Sequence, residues 1–234
     1  MEYLSDEFRV ISYDIRGFGK STAGKENESI DLFADDLINF MDALSIRKAI
    51  VCGLSMGGYI LLNAISRHPE RFYAIVLSDT QCNADDEAGK QKRIETISHV
   101  LAGGFQSFAD EFVKNIFCSD TLKTKPELVD EILKTILSTS TITVTKTLSA
   151  LANRSDTCNS LQQISVPALI ICGSEDIITP PIKSEFLNNS IRGSRIHFID
   201  KAGHLSNLEQ PEEFNNHLIN FISAVRNQMD NSSI

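Results

Sequence analysis

Ser55, Asp176 and His204, in that chain order, carry the chemistry this sequence offers. Ser55 lies in Gly53-Leu54-Ser55-Met56-Gly57, directly after the apolar run Ala49 to Cys52 and before a stretch of helical periodicity. A serine on a sharp strand-to-helix turn holds its Oγ clear of the backbone. Glycines two residues before and two after leave room that larger neighbours would fill. A hydroxyl is a weak nucleophile; it needs a base to take its proton and a third group to orient that base. Asp176 follows the apolar run Pro167 to Cys172, and His204 follows the run Arg195 to Ile199 through Ala202-Gly203. The carboxyl ends of strands in an open α/β sheet line one crevice, so the three loops are expected to meet there. The other histidines have weaker settings: His68 precedes Pro69, His99 lies among helix-like stretches, His197 is inside a strand and His217 is on a helix.

Such loops need a sheet to hold them. Short apolar runs alternate with helical periodicity, the pattern of an α/β fold with a mostly parallel sheet flanked by helices. Strands are predicted at Phe8–Tyr13, Ala49–Cys52, Phe72–Ser78, Pro167–Cys172 and Arg195–Ile199. Helices are predicted over residues 30–44, where Leu32, Phe33, Leu37, Phe40, Met41 and Leu44 recur at helical spacing, and over 59–67, about 182–189 and about 211–226. Between about 85 and 161 only helix-like stretches occur, at 92–100, 105–117, 126–138 and 143–152. The chain therefore divides into a core, residues 1–84 with 162–234, and a helical lid, residues 85–161. Phe105, Phe108, Phe112 and Phe117 recur at roughly helical intervals and are expected to fasten the lid to the core, some of them also lining an acyl pocket. Arg154 and Asp156, where the lid returns, are read as a hinge salt bridge in preference to a binder of a substrate carboxylate.

A length of 234 residues suits one α/β domain with a modest insertion. A net charge of −9 argues against nucleic-acid and anionic-membrane partners and leaves a small molecule or a protein as the default substrate. No apolar run approaches the roughly 18 residues of a membrane span. The first residues show no basic start and no apolar stretch, so no signal peptide is expected and the cytoplasm is the expected location. The five cysteines, Cys52, Cys82, Cys118, Cys158 and Cys172, have no paired spacing and are expected to be reduced, with Cys52 and Cys172 as small core residues. No C-x-x-C or H-E-x-x-H occurs, and Arg16 to Ser21 lacks the spacing of a phosphate loop; no metal, nucleotide or other cofactor is called for.

Asp14-x-Arg16-Gly17-x-Gly19-x-Ser21, Gly53-Leu54-Ser55-Met56-Gly57-Gly58, Gly173-x-x-Asp176, Ala202-Gly203-His204 and Glu209-Gln210-Pro211 together resemble the α/β-hydrolase fold family over nearly the whole chain. The resemblance is greatest to small carboxylesterases and oxoadipate enol-lactone hydrolases with a helical lid. It implies cofactor-free hydrolysis of a small carboxylic ester, lactone or thioester through an acyl-enzyme. Ser55 attacks, His204 acts as base and then acid, and Asp176 orients the imidazole. The backbone N–H of Met56, at a helix N-terminus, is one oxyanion donor. Asp79 is the alternative acid, because it too ends a strand and some members place the acid there. The second donor of the family comes from a loop after an earlier strand, usually marked by His-Gly, and nothing of that kind precedes Phe8. Met1 to Glu7 resembles the end of the helix that normally follows that loop. Three readings follow: a start assigned too late, a truncation, or a short protein whose first strand slides over to pair with its second. The same resemblance also admits a non-catalytic receptor or binding protein that keeps the three residues, and a cofactor-free perhydrolase or C–C hydrolase. Dehalogenation is disfavoured, since that chemistry uses an aspartate in place of Ser55.

Overall fold

In the computed structural model, which describes residues 4, 7–24 and 28–231, four parallel strands form one sheet in the order β1 (Ala49–Leu54), β2 (Phe72–Ser78), β3 (Ala168–Gly173) and β4 (Arg195–Ile199). Every residue of β3 and all of β2 except Tyr73 is buried, which is why these strands read as continuous apolar runs and not as alternating ones. Helices cover both faces. On one face lie α1 (Ile30–Ala43) and α2 (Met56–Arg67). The Ser29 hydroxyl caps α1 by accepting from Leu32 N–H at 3.0 Å, and Phe33, Leu37 and Met41 then join Leu61, Ile75 and Ile170 in the main core. The last helix of the chain covers the other face, with Phe214, Leu218, Phe221 and Val225 packed on Ala74, Val76, Leu169 and Ile171. No helix among the described residues is long and apolar enough to cross a membrane.

Between β2 and β3 the chain is helical: α3 (Glu87–His99), α4 (Phe105–Ile116), α5 (Ser119–Thr124), α6 (Pro126–Ser138) and α7 (Thr141–Ala152). Asp86 starts α3 by accepting from Gly89 N–H at 2.7 Å. That helix begins earlier than its periodicity indicates because none of its residues is buried. α8 (Pro181–Ser190) links β3 to β4, and α9 (Ser206–Glu209) and α10 (Pro211–Asn231) close the chain.

Four expectations need correction. Phe8–Tyr13 is not a strand, because a strand exists only with a hydrogen-bonded partner and β1 pairs only with β2 among the described residues. The proposed slide of this segment onto β1 does not occur; Tyr13 instead stacks on Phe40 at 4.8 Å and packs against the core. Most of the segment Met1–Glu7 lies outside the described residues. Second, Cys82 and Cys158 form a disulfide across 76 residues of sequence, so the cysteines are not all reduced. The cysteine argument for a reducing compartment goes with that expectation. Third, Cys52 is exposed, since β1 is the outer strand among the described residues, while Cys172 is buried as expected. Fourth, of the four phenylalanines only Phe117 enters an apolar cluster. Phe105, Phe108 and Phe112 stack on one another, with centroids 6.3 and 5.7 Å apart, and Phe112 is exposed.

The stems of the helical block meet as a neck. Buried Arg154 pairs with Asp85 at 2.8 Å, donates to the Asn83 carbonyl at 2.9 Å and lies over the Tyr59 ring. Asp156 accepts from Ala84 N–H at 3.2 Å. The hinge salt bridge expected of Arg154 and Asp156 therefore forms with Asp85 instead, while Asp156 binds backbone amides of the two stems. The loop Asp14–Ser21 is also tied to itself: the Asp14 carboxylate accepts from Lys20 N–H at 2.8 Å, and Arg16 pairs with Asp36 of α1.

Candidate active site

The turn from β1 into α2 places Ser55 at φ +52°, a left-handed conformation that costs a non-glycine residue roughly 1–2 kcal/mol. Neighbouring β2 holds the turn in place. Ser55 N–H donates to the Ser78 carbonyl at 2.9 Å, and the Thr80 hydroxyl donates to the Ser55 carbonyl at 2.8 Å. Gly53 is required because a Cβ there would stand 2.3 Å from the Gly57 carbonyl oxygen. The room expected to be needed at Gly57 is needed one residue later: a Cβ on Gly57 meets nothing within 4 Å, whereas one on Gly58 would strike Thr80 at 2.3 Å.

The end of β3 delivers Asp176 and the end of β4 delivers His204. The two loops touch backbone to backbone, since a Cβ on Gly173 would lie 2.0 Å from the Gly203 carbonyl oxygen. His204 is 4% exposed and Asp176 is 2% exposed, so their interaction is shielded from water. His204 Nδ1 is 2.8 Å from Asp176 Oδ2, and Nε2 is 2.8 Å from Ser55 Oγ. An ionised carboxylate can only accept, so Nδ1 carries the proton and Nε2 is left to accept from the serine hydroxyl. Burial works to raise the Asp176 pKa. The hydrogen bond and charge of His204, with the bonds from Thr179, outweigh it and hold the carboxyl below its ordinary value. Asp176 Oδ1 accepts from Ile178 N–H at 2.8 Å and Thr179 N–H at 3.0 Å, and Oδ2 accepts from the Thr179 hydroxyl at 2.7 Å.

Asp79 is fully buried but does not touch His204. Its Oδ2 accepts from the Ser78 and Ser206 hydroxyls at 2.7 and 2.6 Å, and its Oδ1 accepts from Gly173 N–H at 2.8 Å. Met56 is the first residue of α2, and the first-turn amides of a helix have no intrahelical acceptor, so its N–H is available beside Ser55.

Sequence reasoning missed several supports. Thr179 had a signal, the aspartate–x–x–threonine turn. Ser206 and Thr80 had none, because each acts on a residue remote in sequence. Glu209, which the sequence marks only as part of the Glu209-Gln210-Pro211 motif, is fully buried, with Oε1 accepting from Gly203 N–H at 2.7 Å and Oε2 from Cys118 N–H at 2.9 Å. With His204 N–H donating to the Ile116 carbonyl at 2.8 Å, these bonds fasten the histidine loop to the end of α4. Glu209→Ala strands two buried amides and is expected to cost about 3 kcal/mol, read as a lowered midpoint in thermal unfolding. An unchanged midpoint would mean that the loop is held by packing alone.

The arrangement is a hydroxyl, an imidazole and a carboxylate in hydrogen-bonded series on the carboxyl edge of a parallel sheet. A family profile described as the alpha/beta hydrolase fold matches residues 1–211, and the chain belongs to that family. Among its relatives, 3-oxoadipate enol-lactonase 1 of Acinetobacter baylyi is 31% identical over 223 residues, spanning 95% of this chain and 82% of that protein. A thermophilic esterase from Thermogutta terrifontis has a TM-score of 0.92 at 32% identity, over 96% of this chain and 83% of that one. The enol-lactonase from Burkholderia xenovorans LB400 gives 0.88 at 28% identity, over 95% and 84%.

Proposed function

We propose that this protein is a serine hydrolase that cleaves a small carboxylic ester, lactone or thioester through an acyl-enzyme. The observation that carries the reading is the pair of 2.8 Å contacts on either side of one buried imidazole, Ser55 Oγ to Nε2 and Nδ1 to Asp176. As Ser55 Oγ attacks the acyl carbon, its proton passes to His204 Nε2, and the imidazolium is stabilised by Asp176. The carbonyl oxygen takes up negative charge next to the Met56 N–H, a donor of a kind worth roughly 3–4 kcal/mol to the transition state. Nε2 then returns the proton to the leaving oxygen or sulfur. For a lactone that atom stays attached to the acyl chain, so the ring opens before water releases the acid. Relatives named as enol-lactonases and as a methyl ester esterase support a small oxygen ester. The helical block from α3 to α7 is the lid of this reading.

A fluorophosphonate probe, which reacts only with an activated serine, is expected to label the wild type and to leave Ser55→Ala unlabelled. A wild type that takes no label while remaining folded would favour a binding protein that keeps the three residues without using them.

A further inference from the structure

Asp79 is a fully buried carboxylate with no lysine or arginine paired to it among the described residues. Three loops meet on it. Its own strand end binds both sides of the Ser55 backbone, through the Ser78 carbonyl and the Thr80 hydroxyl. Its Oδ1 takes Gly173 N–H, at the root of the loop that carries Asp176. Its Oδ2 takes the hydroxyl of Ser206, two residues beyond His204. The chain also accepts φ +45° at Asp79 to bring the carboxylate there. A buried charge is costly, and a neutral side chain would fill the same space at lower cost unless the charge has a use.

We propose that Asp79 is a positioning residue of the reaction: its carboxylate, bonded to Gly173 and Ser206 while its own strand end holds Ser55, fixes the spacing of the nucleophile, acid and base loops. This rests on the reading of Ser55, His204 and Asp176 given above. The titratable groups around Asp79 are Cys52 of β1, Cys172 of β3, Asp176 and His204. Ligand atoms of Asp79, Cys172 and Asp176 lie within 4.8 Å of one another, so two carboxylates sit close together. Burial pushes the Asp79 pKa up to about 6, against the bonds from Ser206, Gly173 and Ser78 and the charge of His204. Its charge is therefore present at neutral pH and is lost as the pH falls through that value.

The test is kinetic, with an aryl acetate from pH 5 to 9 and fluorophosphonate labelling rates in parallel. Asp79→Asn keeps an acceptor for Gly173 N–H, and the two hydroxyls can turn to accept from its amide. It is expected to lower kcat by about tenfold or more with KM within about twofold. The part of the acid limb that follows Asp79 should be absent, because an amide does not titrate in this range. Ser206→Ala removes a bond that favours the charged carboxylate, so Asp79 takes its proton at higher pH and the acid limb should move up. Loss of that limb in one variant and its upward shift in the other are not produced by a role in folding alone. Wild-type kcat and an unmoved acid limb in Asp79→Asn overturn the proposal. Should that variant fail to fold, an unmoved acid limb in Ser206→Ala overturns it. A wild type that is neither labelled nor active removes the triad reading and this proposal together. An active wild type whose Ser55→Ala variant is dead, combined with an inert change at Asp79, removes only this one.

Discussion

His204→Gln is expected to lower kcat for an aryl acetate by about 10⁵-fold, and Asp176→Asn by about 10⁴-fold, with both proteins still folded. Glutamine has no ring nitrogen to take the serine proton, so Ser55 Oγ reverts to an ordinary alcohol 2.8 Å from where its base stood. The asparagine effect has a different origin. An amide oxygen can still accept from Ile178 and Thr179 N–H, at the 2.8 and 3.0 Å positions used by the carboxylate, so the loop is preserved. The amide nitrogen then points a donor at His204 Nδ1. That reverses the tautomer and places a proton on Nε2, facing Ser55, where a lone pair is needed. Rates and unfolding midpoints measured together check both variants. A loss of less than about 100-fold in His204→Gln would show that the proton goes elsewhere.

Removing the Cys82–Cys158 bond is expected to cost about 4 kcal/mol, the chain-entropy value for a covalent loop closed across 76 residues. The stabilisation lies mainly in the unfolded chain. The folded neck keeps the Arg154–Asp85 pair and the bond from Thr157 N–H to the Cys82 carbonyl at 3.0 Å. Neither sulfur bonds to Ser55, Asp176 or His204, so activity below the unfolding transition should stay within about twofold of wild type. Urea unfolding of the Cys82→Ser/Cys158→Ser double variant checks the size, and its m-value should rise because the unlinked chain exposes more surface. Identical midpoints with and without reductant in the wild type would show that the bond does not form in solution.

The convergence of Ser55, Asp176 and His204 was legible because each is marked locally: an apolar strand, a glycine, then the polar side chain. The same local signal gave β2, β4 and α6 their boundaries at Phe72–Ser78, Arg195–Ile199 and Pro126–Ser138. What failed were properties that depend on a remote partner. Phe8–Tyr13 has a strand's composition, but pairing is decided by what lies beside it. Cys82 and Cys158 carry no spacing signal because folding, not sequence proximity, brings them together. Phe105, Phe108 and Phe112 have helical spacing, but spacing does not say whether a stripe meets the core or its own rings. The need for space at Gly58 and not Gly57 comes from Thr80, a residue of the next strand's loop.

The closed neck has a consequence for how this protein can change over generations. Its two stems are joined to each other by a covalent bond and a buried ion pair, and α7 is tied to the core as well, through Ala150 and the bond from the Thr143 hydroxyl to the Gly17 carbonyl, so the freer part of the block is α3 to α6. Insertions, deletions and exchanges within that stretch can accumulate without pulling on β2 or β3, which hold the serine and aspartate loops. The exceptions are Ile116 and Cys118, whose backbone groups bind the His204 loop and Glu209. Leu205, next to His204, packs with Val113 and Phe117 at the same junction, so variation should be least there.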